Sequence, residues 1–209
     1  MNVSLAILAL AGAIAIGAAS PGPSFVMVVR TAMAKSRADG LAAALGMGVG
    51  GVIFCSLALL GLHALFERAE LLYLGFKILG GLYLIYLGFR MWRGAAQPIA
   101  VATDVNGGSR VIRSFLLGLA TQLSNPKTLV FYGSIFAALM PPHVPGWTFL
   151  VVPPVIMAIE TGWYTLVALA FSLPRPRSLY LKWKAGIDRV AGTLMTALGL
   201  KLIFSAARP

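Results

Sequence analysis

Acidic residues are scarce in this sequence: six Asp and Glu stand against seventeen Lys and Arg, with two His and one cysteine, Cys55. One cysteine excludes an internal disulfide, a two-cysteine relay and a cysteine-based metal cluster within the chain. Cys55 lies inside an apolar run and reads as a small buried hydrophobe. His63 and His143 fall near loops and make no metal constellation with so few carboxylates, so no metal is expected. Charge of either sign is itself rare, at 11% of residues against 59% apolar, and the mean hydropathy is +0.87. Water-soluble domains do not have that balance. The net charge of +11 would suit nucleic acid if the bases clustered on a polar surface, but they sit in short gaps between apolar runs. No nucleophile stands in register with a base, and no cofactor motif survives inspection. Gly46-Met-Gly48-Val-Gly50-Gly51 imitates a nucleotide loop, yet it lies in an apolar run with no strand before it and reads as helix packing.

What is present is a set of long apolar runs, at roughly 4–29, 41–65, 71–91, 111–139, 147–171 and 187–205. Each is long enough for a bilayer crossing of about 20 residues, which predicts an all-α integral membrane protein with six transmembrane helices. The polar stretch from Arg93 to Arg110 is the one flexible linker, dividing the chain into 1–93, a linker at 94–110, and 111–209. Lys and Arg near short loops are retained in the cytoplasm. The first gap carries Arg30, Lys35 and Arg37, the third Arg90, Arg93, Arg110 and Arg113, and the fifth Arg175, Arg177, Lys182, Lys184 and Arg189. The second has only Arg68 and the fourth none. Gaps one, three and five are therefore expected inside, and both termini outside. Two other readings of the start remain: a first run that does not cross, and cleavage at Ala18-Ala19-Ser20, although Met1 to Leu5 lacks the basic residue of a signal peptide. Trp92, Trp147 and Trp183 close spans as interfacial aromatics do. Arg177 to Lys184 alternates bases with Leu179, Tyr180, Leu181 and Trp183, which predicts a short helix lying on anionic lipid.

The halves resemble each other. Lys77-Ile-Leu-Gly-Gly81-Leu-Tyr-Leu-Ile-Tyr-Leu-Gly88-Phe-Arg90 aligns without a gap on Asp188-Arg-Val-Ala-Gly192-Thr-Leu-Met-Thr-Ala-Leu-Gly199-Leu-Lys201. Ser20-Pro21-Gly22-Pro23 and Ser124-Asn125-Pro126-Lys127 interrupt the first and fourth runs at matching places. Three spans are an odd number, so the second copy is inverted: two inverted three-helix repeats, with spans one and four broken at proline. Proline removes a backbone donor and pushes its predecessor out of helical geometry. Backbone groups freed inside a bilayer cost several kcal/mol each unless they are buried in protein or line a wet cavity. A simple kink in a packed helix is the plainer alternative. If the helices break, those restarting near Ser24 and Lys127 present N–H groups and a positive dipole end, suited to a carboxylate.

Three charges lie well within spans: Lys77, Lys127 and Glu160. A charge at a span centre costs about 2.5 to 3.5 kcal/mol on insertion scales, so it faces a partner or a cavity. Lys127 and Glu160 fall at similar depth near the midplane, as an ion pair or as participants in substrate and proton handling. Glu160 is the expected proton-coupling residue and Asp39 the next candidate. Lys77 is nearer the outer end and can snorkel. Gly46, Gly50, Gly81 and Gly88 offer close-packing positions beyond the needs of six spans, which suggests a homodimer.

At this point the sequence resembles the LysE/RhtB family of bacterial amino-acid exporters, over nearly the whole chain. The resemblance rests on Ser20-Pro21-Gly22-Pro23, on Arg37-Ala-Asp39-Gly40 entering a glycine-rich span, and on the run from Lys77 to Gly88. Asn125-Pro126-Lys127 and Arg189-Val-Ala-Gly192 with Gly199 complete it. It implies a multi-pass inner-membrane carrier that exports amino acids or close derivatives, driven by the proton gradient. The site residues expected to bind substrate are Ser20, Pro21, Gly22, Pro23, Ser24, Asn125, Pro126 and Lys127. The very short second and fourth gaps depart from any design with an external gating domain. A thiol carrier would need a cysteine near each break; a metal-ion exporter, the remaining alternative, would need clustered His, Asp or Glu along the spans.

Overall fold

The computed structural model describes residues 3–68, 70–97, 111–141, 144–172 and 174–206, and every regular element in them is an α-helix. In chain order these are α1 (Val3–Ala19), α2 (Pro23–Ala34), α3 (Arg37–Arg68), α4 (Glu70–Gly94), α5 (Val111–Leu123), α6 (Pro126–Leu139), α7 (Thr148–Phe171) and α8 (Pro174–Ala206). Most of the expected linker, residues 98–110, and His143 lie outside the described residues.

The first and fourth apolar runs are each two helices. α1 and α2 meet at an angle of 57° across Ser20-Pro21-Gly22. α5 ends at Leu123, and α6 starts at Pro126. In both, a proline occupies the first turn of the second helix, where its missing N–H costs nothing and its fixed φ starts the helix. α7, by contrast, runs unbroken through Pro153 and Pro154. By length and apolar composition, α7 and the Arg37–Gly61 part of α3 are each able to cross a membrane, and α1 with α2 makes a third crossing when the bent pair is taken as one. Val111–Leu123 and Lys127–Leu139 are apolar but shorter.

Glycines set the packing. A Cβ on Gly81 would stand 2.8 Å from the Gly199 carbonyl oxygen and one on Gly199 2.5 Å from that of Gly81. Gly88 and Gly192 meet in the same reciprocal way, with 2.5 and 2.7 Å. α4 and α8 therefore cross antiparallel with backbones in contact at two levels, an approach that any side chain would block. α3 lies between α5 and α7. Along α5 it runs parallel, as shown by Ala43 against Gly118, Gly46 against Phe115 and Leu119, and Gly50 against Gln122. The four glycines that suggest a homodimer in the sequence thus all meet helices of the same chain, and that ground for a dimer is gone.

One further expectation is corrected. The basic segment from Arg177 to Lys184 is not a separate surface helix but part of the continuous α8. Gly186 alone does not break it, and the Lys184 ammonium holds the Asp188 carboxylate one turn on, at 2.8 Å. Lys184 also donates to the Gly94 and Ala95 carbonyls, both at 3.1 Å, so the base expected on lipid is buried where α4 ends.

Candidate functional site

The two breaks lie side by side and are tied to each other. Ser24, in the first turn of α2, donates from Oγ to Gln122 Oε1 at 2.8 Å and accepts from Asn125 Nδ2 at 3.0 Å. All three side chains are buried. Buried polar groups keep such partners because each unmade bond costs about 1 to 3 kcal/mol, and here the partners come from the opposite break. Residues about a hundred positions apart are thereby clamped into one polar centre.

The breaks differ in how their second helices begin. Asn125, in extended geometry, caps α6 by accepting the Lys127 N–H on its side-chain oxygen at 3.0 Å. Ser124 closes α5, donating to the Ala120 carbonyl at 2.7 Å. At the first break the capping residue is Gly22, also extended, which has no side chain with which to cap α2.

Lys127 stands over that open cap. Its ammonium is 3.4 Å from where a Cβ on Gly22 would be. Among the described residues, the ammonium makes no hydrogen bond and no ion pair. The charged groups around it are Asp188, Glu160 and Arg90.

Glu160, on α7, is buried. Its Oε1 accepts from the Tyr132 hydroxyl at 2.8 Å. Its Oε2 is equally buried and has no partner at good hydrogen-bond geometry among the described residues, although the Gln122 side chain is near enough to stabilise the carboxylate. Gly51 makes room for this pair: a Cβ there would lie 3.0 Å from both Glu160 Cγ and Tyr132 Oη.

Two connected spaces adjoin these groups. A small chamber of about 30 Å³ is lined by Ser24, Gln122, Thr128, Tyr132, Glu160 and Tyr164, among others. That is room for a group about the size of a water molecule or two. A vestibule of about 780 Å³ opens beside it, lined by Pro21, Pro23, Tyr83, Arg90, Arg93, Gln97, Lys184 and Asp188 with their neighbours. Ser20, Gly22, Asn125 and Lys127 line both, so they form the doorway between the two. Ser20 Oγ is 3.4 Å from Asp188 Oδ1, linking the first break to α8.

Of the residues expected to bind substrate, Ser20, Pro21, Gly22, Pro23, Ser24, Asn125 and Lys127 line one or both spaces, and Pro126 starts α6 beside them. Glu160 lines the chamber and not the vestibule. Asp39 is elsewhere: fully buried in the first turn of α3, it accepts from Ser36 Oγ at 2.6 Å and Ser114 Oγ at 2.7 Å, joining α3 to α5. Lys77 donates to the Ser205 carbonyl at 3.3 Å near the end of α8 and lines neither space. Lys127 and Glu160 share the chamber without pairing, and Asp188 on the vestibule wall is paired with Lys184. Gln122, Tyr132 and Tyr164 escape a reading that counts charges. Their signal is present all the same, as uncharged polar groups within apolar runs: Gln122 and Tyr132 on either side of the second break, and Tyr164 one turn after Glu160 on α7.

An all-helical protein with two helices broken around a buried, partly unpartnered charge set is a membrane carrier in form. The family comparison agrees. Residues 15–206 match the family described as LysE type translocator, and the chain belongs to that family. It is 36% identical over 188 residues to the threonine efflux protein of Escherichia coli K12, covering 89% of this chain and 91% of that one. It is 30% identical over 192 residues to the homoserine/homoserine lactone efflux protein of Salmonella typhimurium, covering 88% of each. No solved structure matches the chain.

Proposed function

We propose that this protein is a secondary transporter that exports neutral amino acids or close derivatives across the bacterial inner membrane, driven by the proton gradient. The observation that carries this reading is the unpartnered Lys127 ammonium, held over the uncapped start of α2 in a doorway between a vestibule and a buried carboxylate. A substrate carboxylate has two attractions there: the cation and the positive end of α2. Relatives named for threonine and homoserine efflux support the substrate class. The vestibule wall adds a selection by charge, with Arg90, Arg93 and Lys184 against Asp188 alone, which disfavours lysine-like side chains. The metal-exporter alternative gains nothing from a chamber with a single carboxylate.

The architecture proposed is six spans in two inverted repeats, with α1–α2 and α5–α6 as the broken members. The reciprocal contacts of Gly81 with Gly199 and Gly88 with Gly192 support it, because two copies related by a two-fold axis would meet in this way. With gaps one, three and five in the cytoplasm, the vestibule lies at the cytoplasmic ends of α4 and α8. This is then the inward-open form, ready to load. Glu160 carries the coupling proton in this reading, and Asp39 serves the α3–α5 junction.

The test is transport by the purified protein in proteoliposomes, against a panel of amino acids, with and without an imposed pH gradient. Neutral amino acids should move uphill only with the gradient, and Glu160→Gln should lose the uphill component. Transport of none of the panel would overturn the reading.

A further inference from the structure

Glu160, with its unsatisfied oxygen, lines a space too small for an amino acid but adequate for its head group. About 30 Å³ does not hold a whole threonine, and about 780 Å³ holds far more than one. The groups shared by the two spaces mark where a ligand would straddle them. Resting on the exporter reading, we infer that the substrate's ammonium group enters the chamber and seats on Glu160 Oε2, while its carboxylate stays in the doorway on Lys127 and its side chain remains in the vestibule.

Each part has its own ground. Glu160 Oε2 is a buried acceptor with no bond of good geometry made to it, the Gln122 side chain being its nearest neutral neighbour, and an ammonium supplies a charged donor. Tyr132 already holds Oε1, so the carboxylate is fixed with one oxygen offered. Lys127 is the matching cation without an anion, and a zwitterion satisfies both while adding no net charge to a low-dielectric site. The side chain then touches neither charge, so recognition falls on the two head groups and leaves side-chain size loosely specified.

Coupling follows from the same seat. A proton and an ammonium cannot both occupy one oxygen, so loading substrate at Glu160 expels the proton and releasing it readmits one. The other titratable and charged groups around the site are Lys127 and Tyr132 on α6, Cys55 on α3, Arg90 on α4, Tyr164 on α7 and Asp188 on α8. Among these, Glu160 is the one carboxylate lining the chamber.

The experiment compares three probes in proteoliposomes holding the full chain: L-threonine, N-acetyl-L-threonine, and 1-amino-2-propanol, which is threonine without its carboxylate. Wild-type protein should carry threonine at least about tenfold faster than either analogue. Lowering the cytoplasmic-side pH should raise the threonine KM in wild type and leave it flat in Glu160→Gln. In that variant, threonine and the N-acetyl compound should come within about twofold of each other. The wild-type comparison stands even if the variant fails to fold. Transport of N-acetylthreonine at the threonine rate by wild type, with threonine itself moving well, overturns the ammonium seat and leaves the exporter reading intact. No transport of any free amino acid overturns both.

Discussion

The two breaks begin alike in sequence and end up with different work. Both have a proline at the first position of the restarting helix and an extended residue before it. Asn125 closes its own helix start with its own side chain, and the next residues supply the cation. Gly22 closes nothing and lets that cation approach its backbone. The second break is thus a finished piece of structure that presents a charge, and the first is an unfinished helix end that needs one. An inverted pair with identical breaks would have either two cations repelling each other or two bare helix ends. In the proposed binding mode, the asymmetry lets one substrate carboxylate serve both.

The strongest way to break this division is to remove the charge. Lys127→Ala should lower the initial rate of amino-acid transport in proteoliposomes by about a hundredfold, the scale of a lost charge-assisted contact of about 3 kcal/mol. Lys127→Arg should restore part of it. A Lys127→Ala protein that transports within threefold of wild type would show that the open α2 start binds alone or that neither binds. Next in size is the exchange of caps. Gly22→Asn would give the first break what the second has. The gain in stability is only a few tenths of a kcal/mol, but the new side chain would fill the space beside the Lys127 ammonium. Transport should fall by about tenfold while the melting temperature in detergent holds or rises. Loss of both together would mean that the first break is structural.

How much of this was legible can be judged at the same residues. The breaks were, because proline effects are local: Pro21, Pro23 and Pro126 act on their own backbones. The extents of α3, α4 and α7 follow from apolar run length, whereas α8 starts at Pro174, well before its apolar run. The repeat sets Gly81 level with Gly192 and Gly88 level with Gly199; that they meet crosswise, Gly81 on Gly199 and Gly88 on Gly192, is not legible in it. Nor was the register of the breaks. Aligned from their serines, the motifs put Pro23 opposite Lys127. The helices put Pro23 opposite Pro126 and Ser24 opposite Lys127, because the residue that caps decides the start and serine is not that residue in either copy. The bonds from Ser24 to Gln122 and Asn125 were also out of reach, since they depend on how two distant breaks dock. The same holds for Lys184, whose burial depends on where α4 ends. Pro153 and Pro154 mark the converse limit: the residue type suggests a break, and the helix goes through.

A third test sharpens the second break. Asn125→Ala removes both the cap and the bond to Ser24, so a stability loss of about 1 to 2 kcal/mol is expected. Asn125→Asp keeps the cap but cannot donate to Ser24, so it should recover only the capping share of the loss. Thermal unfolding of the two variants in one detergent separates them. If both unfold like wild type, the cap is not what holds the start of α6.

The smallest effect belongs to the two serines that the sequence sets opposite each other. Ser124 is exposed, and its hydroxyl bonds the carbonyls of Ala120 and Thr121, which close α5. Such a local bond on an exposed turn contributes a few tenths of a kcal/mol, and the residue lines neither space. Ser124→Ala should therefore change neither transport nor stability measurably. Ser20 is buried, lines the doorway and reaches towards Asp188 at 3.4 Å, a long bond at the limit of geometry. Ser20→Ala should lower transport by about two- to threefold through the lost polar contact at the doorway, with little change in stability because the bond is weak. The ratio of the two variants' rates is the measurement. A ratio near one would mean that the first break positions the substrate by its backbone alone, and the contrast between the breaks would then reduce to Gly22 against Asn125.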